Sequence, residues 1–159
     1  MKTHQLSVQE PEDNYQIIAI YTDEQDYRLA FILNKHLNLQ LVKSASIIDQ
    51  TKKTDFTVFE YEDTTLFRNW LLLNNHCFVD SKIKTTDSFS LFNDRPSIYQ
   101  QKTYYLKKYK KANFLLKVIA DEDVEYTQKL IETLHQIPQI YATEILLLDK
   151  IQNKKLLIF

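Results

Sequence analysis

Tyr15-Gln-Ile-Ile-Ala-Ile-Tyr21, then Asp23-Glu-Gln-Asp-Tyr-Arg-Leu-Ala-Phe-Ile-Leu-Asn-Lys-His-Leu37, then Leu39-Gln-Leu-Val-Lys43, reads as a strand, a helix and a strand. The run from Tyr15 is apolar on both faces apart from Gln16, the pattern of a strand buried on both sides. Asp23 suits an N-cap, and Asp26 stands three residues on at capping-box spacing. Leu29, Ala30, Ile32, Leu33, His36 and Leu37 fall on one helical face, and Asn38 is placed to end the helix in a left-handed conformation.

Working outward, Asp55–Tyr61 and Leu66–Leu73 are two aromatic and β-branched runs around Glu62-Asp-Thr-Thr65, which predicts an antiparallel hairpin with a four-residue loop. Phe56 and Val58 share one face while Phe59 and Tyr61 share the other, so a bulge or burial on both sides is expected. Residues 74–101 show little periodicity and are expected to form an irregular excursion with at most short strands. Thr103–Lys107 and Ala112–Ile119 read as strands, Asp121 as the cap of a helix over Glu122–Gln136, and Tyr141–Leu148 as another largely apolar strand. Residues 1–13 are polar and read as a flexible arm, leaving 14–159 as a single domain. The predicted fold class is α+β: a two-layer α/β sandwich with two strand-helix-strand units, 15–43 and 112–148, around the hairpin, of ferredoxin-like character if the strand order permits.

A chain of 159 residues with a net charge of −1 can bury a core and has no global pull toward nucleic acid or an anionic membrane. The chain has no glycine. Without it the phosphate loop, the Gly-rich dinucleotide fingerprint and the Gly-x-Ser-x-Gly nucleophile elbow are nearly excluded, because each needs backbone that approaches a ligand closely or turns through positive φ. Turns must then use other residues, and Asn38, Asn74-Asn75, Asn93-Asp94 and Asn153 are the candidates. A single cysteine, Cys77, a Lys-rich composition, and the lack of a signal-like opening or a membrane-length apolar run predict a cytoplasmic protein.

Few residues suggest chemistry. His76-Cys77 is an adjacent pair of soft ligands, but His4, His36 and His135 are not spaced to complete a zinc site, and neighbours in a strand point to opposite faces. A semi-buried strand end is the preferred reading. Glu60, Glu62 and Asp63 near a hairpin loop read as solvated edge protection before they read as an acid/base pair. Neither catalytic residue, cofactor nor metal is therefore expected. Lys102-Thr-Tyr-Tyr-Leu-Lys-Lys-Tyr-Lys-Lys111 stands out from a nearly neutral chain. If extended, it would set Tyr105, Lys107, Tyr109 and Lys111 on one face and Lys108 and Lys110 on the other, aromatic surfaces among cations that suit single-stranded nucleic acid. The preferred reading is that the lysines guard a strand edge while the tyrosines cover the core.

At Asp26-Tyr-Arg-Leu29, Asn34-Lys35, Phe59-Glu-Tyr-Glu-Asp63, Ile137-Pro138 and Leu157-Ile-Phe159, in this order and over most of its length, the chain resembles the IPExxxVDY family of uncharacterised Bacteroidota proteins. The naming motif falls at Leu106–Phe114, where Lys107 and Lys108 stand in place of the family's Pro and Glu. The resemblance implies no activity, cofactor or catalytic residue. It does single out Asp26, Tyr27 and Arg28, otherwise a helix start with a surface ion pair, as the first candidate for a shared partner surface. The expected function is a non-enzymatic cytoplasmic module that binds a protein partner. The alternative is an accessory RNA or other nucleic-acid binder acting through residues 102–111.

Overall fold

The computed structural model of the chain describes residues 14–50, 52–82, 98–120 and 124–151. The arm at 1–13, the cap at Asp121, the turns at Asn93-Asp94 and Asn153, and His4 lie outside the described residues. In order, the elements are β1 (Tyr15–Tyr21), α1 (Asp26–Leu37), β2 (Val42–Lys43), β3 (Ile47–Asp49), β4 (Thr54–Phe56), β5 (Val58–Asp63), β6 (Arg68–Asn74), β7 (His76–Lys82), β8 (Ile98–Tyr104), β9 (Phe114–Ile119), α2 (Val124–His135) and β10 (Ala142–Ile145). Short 3-10 turns occupy Lys107–Tyr109 and Leu148–Lys150.

Six strands form one sheet in the order β10-β1-β9-β6-β5-β2, and each neighbouring pair is antiparallel. β3 pairs with β4, and β7 with β8, in two further two-stranded ribbons. Alternation along each central strand sends side chains to opposite faces. On one face Ile18, Ile20, Phe114, Leu116, Val118, Trp70, Leu72 and Phe59 pack under Leu29, Ala30 and Leu33 of α1 and Leu130 and Leu134 of α2. The other face carries Ile17, Ala19, Leu115, Leu73 and Val58, covered by Phe56, Cys77, Leu106, Ala112, Leu146 and Ile151. Lys117, nearly buried on this face, sets its ammonium 4.5 Å from the centre of the Tyr15 ring, where the π-face offsets part of the cost of burying a charge.

The two-layer α/β sandwich expected from the sequence is therefore wrong. Strands hold 44% of the described residues and helices only 25%, and the sheet is covered on both faces. The physical reason lies in β1: a strand apolar on both sides needs cover on both sides, and two layers supply one. Nor do the helices join neighbouring strands into compact strand-helix-strand units. β9, β6 and β5 lie between β1 and β2, which α1 connects, and β1 lies between β9 and β10, which α2 connects.

Local differences follow similar reasons. The β5–β6 loop covers residues 64–67, two positions beyond the expected loop, because Glu62 and Asp63 stay paired with Asn69 and Arg68. Asp63 Oδ1 then accepts the N–H groups of Thr65 and Leu66, each at 3.0 Å, which holds Phe67 at φ 53°. Left-handed backbone costs a non-glycine residue about 1–2 kcal/mol, so this carboxylate supports an otherwise disfavoured turn. Asn38 ends α1 at φ 53° and ψ 46°, as its position in the sequence predicts. Asp23 does not cap α1: the N-cap is Gln25, with no side-chain cap bond, and the Asp23 carboxylate instead accepts the Tyr141 hydroxyl at 2.7 Å.

The excursion expected at 74–101 contains two seven-residue strands, β7 and β8, registered from His76↔Tyr104 to Lys82↔Ile98. β8 is largely exposed, so no apolar alternation marks it. Thr103–Lys107 is not a strand throughout, since β8 ends at Tyr104 and the chain turns away. Asn75 causes the turn: its main-chain carbonyl accepts the Tyr105 N–H and its side-chain Oδ1 accepts the Leu106 N–H, both at 2.9 Å.

Candidate functional site

The buried strand β1 ends where polar sequence begins, at Thr22-Asp-Glu-Gln-Asp26, and the same end of the sheet holds Asn74 at the end of β6 and Phe114 at the start of β9. Around this end lies a cleft of about 380 Å³ lined by Thr22, Asp23, Glu24, Gln25, Asp26, Asn74, His76, Lys102, Asn113 and Phe114. Its framework is hydrogen bonded. Thr22 N–H donates to Asn113 Oδ1 at 3.0 Å, the Thr22 hydroxyl donates to the Gln139 carbonyl at 2.7 Å, and the Glu24 N–H donates to that hydroxyl at 3.1 Å. At the junction of β6 and β7, His76 N–H donates to Asn74 Oδ1 at 3.2 Å.

The titratable groups near this end are shifted by burial and neighbours. Burial, with Lys102 beside it, holds the His76 imidazole below its usual pKa, so at neutral pH the ring is uncharged. Its strand neighbour Cys77 points into the second core, and burial pushes that thiol up, away from the reactive thiolate. His76 and Cys77 thus face different surroundings and do not form a nucleophile pair. The hydrogen bond to Asp23 pushes the Tyr141 hydroxyl up. Burial, followed by the bond to Glu144, does the same for Tyr21. Among the described residues no group of three or more His, Cys, Asp or Glu is placed to hold a metal ion.

Of the first candidate surface, Asp26 lines the cleft and accepts the Tyr27 N–H at 2.7 Å. Tyr27 points outward, and Arg28 pairs with Glu24 at 3.1 Å. Phe31, one turn beyond Tyr27 on the same outer face of α1, was not singled out by sequence reasoning. The signal was present, since Tyr27 and Phe31 sit four residues apart and off the Leu29–Leu33 stripe. His36, expected at the boundary of the core, is exposed.

The basic segment is not extended, so the shared face that an extended strand would give Tyr105, Lys107, Tyr109 and Lys111 does not form. Tyr105 packs edge-on against Phe56 with ring centres 5.2 Å apart, Tyr109 packs on the second core, and burial pushes both hydroxyls up. Lys107, Lys108, Lys110 and Lys111 are exposed around the 3-10 turn. Lys108 Nζ donates to the Lys150 carbonyl at 3.0 Å and lies 5.7 Å from the Tyr109 ring centre. The rings that would have stacked on bases pack on the core and are partly buried, while the lysines face solvent.

The sequence pointed to Asp26 and His76 one at a time and missed Thr22, Asn74, Lys102 and Asn113 as companions. A polar run directly after a buried strand was the available local signal. No helix among the described residues is long and apolar enough to cross a membrane. No family model, curated protein or solved structure matches the chain.

Proposed function

We propose that the chain is a non-enzymatic binding module that takes a protein partner on the outer face of α1, with Tyr27 and Phe31 as anchors and Asp26 and Arg28 at their margin. The observation that carries this reading is the exposure of two aromatic side chains one helical turn apart, Tyr27 at 60% and Phe31 at 69%. Aromatic side chains beside arginine are the composition of energetic anchors at protein interfaces. The reading includes membership of the IPExxxVDY family, supported by Asp26-Tyr-Arg-Leu29 and the other short motifs, and work in the cytoplasm, supported by one buried, protonated thiol in a chain with a single cysteine.

The test is affinity capture of the tagged protein from its own cells, with and without nuclease, beside the Tyr27→Ala/Phe31→Ala variant. A protein that survives nuclease and is lost with the double variant, at unchanged melting temperature, is the expected result. Loss of two anchors should weaken such a complex by about 2–4 kcal/mol. Capture that is indifferent to the two substitutions would overturn the assignment of the surface. A second reading, an accessory nucleic-acid binder, draws on the four lysines exposed within residues 107–111. It now rests on phosphate contacts alone, and capture of nuclease-sensitive RNA that is lost when Lys107, Lys108, Lys110 and Lys111 are replaced by Gln would favour it.

A further inference from the structure

The cleft at the end of β1 is walled by charges of opposite sign that do not meet. One wall, at the start of α1, carries Asp23, Glu24 and Asp26; the other, on the β7–β8 ribbon, carries His76 and Lys102. Among the described residues no ion pair crosses the gap. Glu24 is engaged by Arg28, Asp23 accepts from Tyr141, and Lys102 sets its ammonium 5.6 Å from the Tyr104 ring centre on its own strand. Opposite charges within reach would close on each other. Here Thr22 is bonded to the Asn113 side chain and the Asn113 carbonyl accepts the Asn75 N–H at the foot of β7, a fixed base from which the two walls rise around about 380 Å³, a volume in the range of small-molecule sites, roughly 300–1,000 Å³.

We propose that this cleft binds a small zwitterion, with its ammonium against Asp23 and Asp26 and its carboxylate against Lys102 and His76. A simple anion would meet three carboxylates on the α1 wall, and a simple cation would meet Lys102. A molecule carrying both charges is attracted by both walls, each through a charge-assisted hydrogen bond. Because the frame is already bonded, little ordering cost falls on the ligand. The uncharged His76 adds a readout: a carboxylate placed beside the ring favours its protonated form and raises its pKa toward the usual value.

The site shares Asp26 with the margin of the Tyr27–Phe31 face but neither of its aromatic anchors. Zwitterion binding is read at His76 and partner capture at the two aromatics, so either can fail while the other stands. The test is an NMR titration of the His76 ring in the full chain, with the free proteinogenic amino acids and with diglycine as probes. N-acetylated, amidated glycine, which carries neither charge, is the control. The expected result is a saturable rise in the His76 pKa with at least one zwitterionic probe, none with the blocked control, and affinity about tenfold lower in Lys102→Gln, the loss of one charged hydrogen bond. Response to free amino acids alone assigns a single α-amino acid, and response to diglycine alone assigns the wider spacing of a peptide. No saturable shift with any probe, an equal response to the blocked control, or unchanged affinity in a folded Lys102→Gln would each overturn the proposal.

Discussion

The two faces of the central sheet are buried to the same degree by different means. On the helix-covered face, Leu29 and Leu33 of α1 and Leu130 and Leu134 of α2 reach the strands from regular elements. On the other, Phe56 and Cys77 come from strands of the two small ribbons, and Leu106, Ala112, Leu146 and Ile151 from connections. A helix brings several apolar side chains into register through its own hydrogen bonds, whereas a connection has to be fastened turn by turn. The second face is fastened by Asn75. Fully buried, it donates through Nδ2 to the carbonyls of Tyr109 and Ala112 at 3.0 Å each, besides accepting the Leu106 N–H. One carboxamide thereby replaces the ladder that a regular element would have supplied.

Leu115 and Leu116 give the sharpest test of whether both faces are cores of equal worth. They are neighbours in β9, both fully buried, and they point to opposite faces. Leu116→Ala should lower stability by about 2–5 kcal/mol, and Leu115→Ala should fall in the same range if the loops pack as tightly as the helices. Denaturant unfolding of the two variants measures this. A loss below about 1 kcal/mol for Leu115→Ala, with Leu116→Ala in range, would mean that the second face collapses around the vacancy and is not close-packed.

Asn75 and Asn34 compare the fastenings themselves. Asn34, near the end of α1, exchanges both side-chain hydrogen bonds with Leu41, at 3.1 and 2.8 Å, and is only partly buried. Asn75→Ala takes this partner from the Leu106 N–H and the Ala112 carbonyl in a buried site, while the Tyr109 carbonyl keeps the Ala112 N–H, and should cost about 3 kcal/mol, since each buried group left unpartnered costs about 1–3 kcal/mol. Asn34→Ala exposes its two partners to water and should cost about 1 kcal/mol. Melting curves with the order reversed would show that the segment over the second face is held by its apolar contacts and not by the clasp.

This difference also explains what could be read from the sequence. The β1–α1 boundary, the Leu29–Ala30–Leu33 stripe, the Asn38 terminator and the inward face of α2 all show at helical or strand period, because each repeats one environment along one element. The cover of the second face repeats nothing. Ala112 is a lone small residue between Lys111 and Asn113, Leu106 stands beside a run of lysines, Leu146 lies in an apolar run that does not show which member turns inward, and Asn75 reads as a turn residue because its partners lie 31 to 37 positions away. The lysine-tyrosine segment was legible in part: Tyr105 and Tyr109 pack on the second face, as the core-covering reading expects, but the turn imposed by the clasp from Asn75 has no local signal. The cleft was half legible: Asp26 and His76 attracted notice separately, and only the sheet brings them to one place.

The smallest expected effect lies at the seam between the two regions, where His76 faces the cleft and Cys77 the second core. Burial and Lys102 both disfavour a charged imidazole, so the native pKa of His76 lies below the ordinary value of 6.5. The unfolded chain then binds more protons than the native one between those two values, and stability rises with pH across that window. Put the other way, the contribution is fully present above about pH 6.5 and is lost as pH falls through 6.5 toward the native pKa. Asp23, Glu24 and Asp26 line the same cleft from the α1 wall, so the variant that removes the imidazole alone is the one that decides. Melting temperature measured at pH 7.5, 6.5 and 5.5 should hold over the first step and decline over the second, by less than the Asn34→Ala effect because the ring is partly solvated. His36 is exposed and His135 shares a 2.7 Å hydrogen bond with Thr143, so His76→Gln is the variant that isolates the cleft. It should flatten the decline. A slope unchanged by His76→Gln would place the pH dependence outside the cleft and remove the picture of an uncharged ring held between a lysine and three carboxylates.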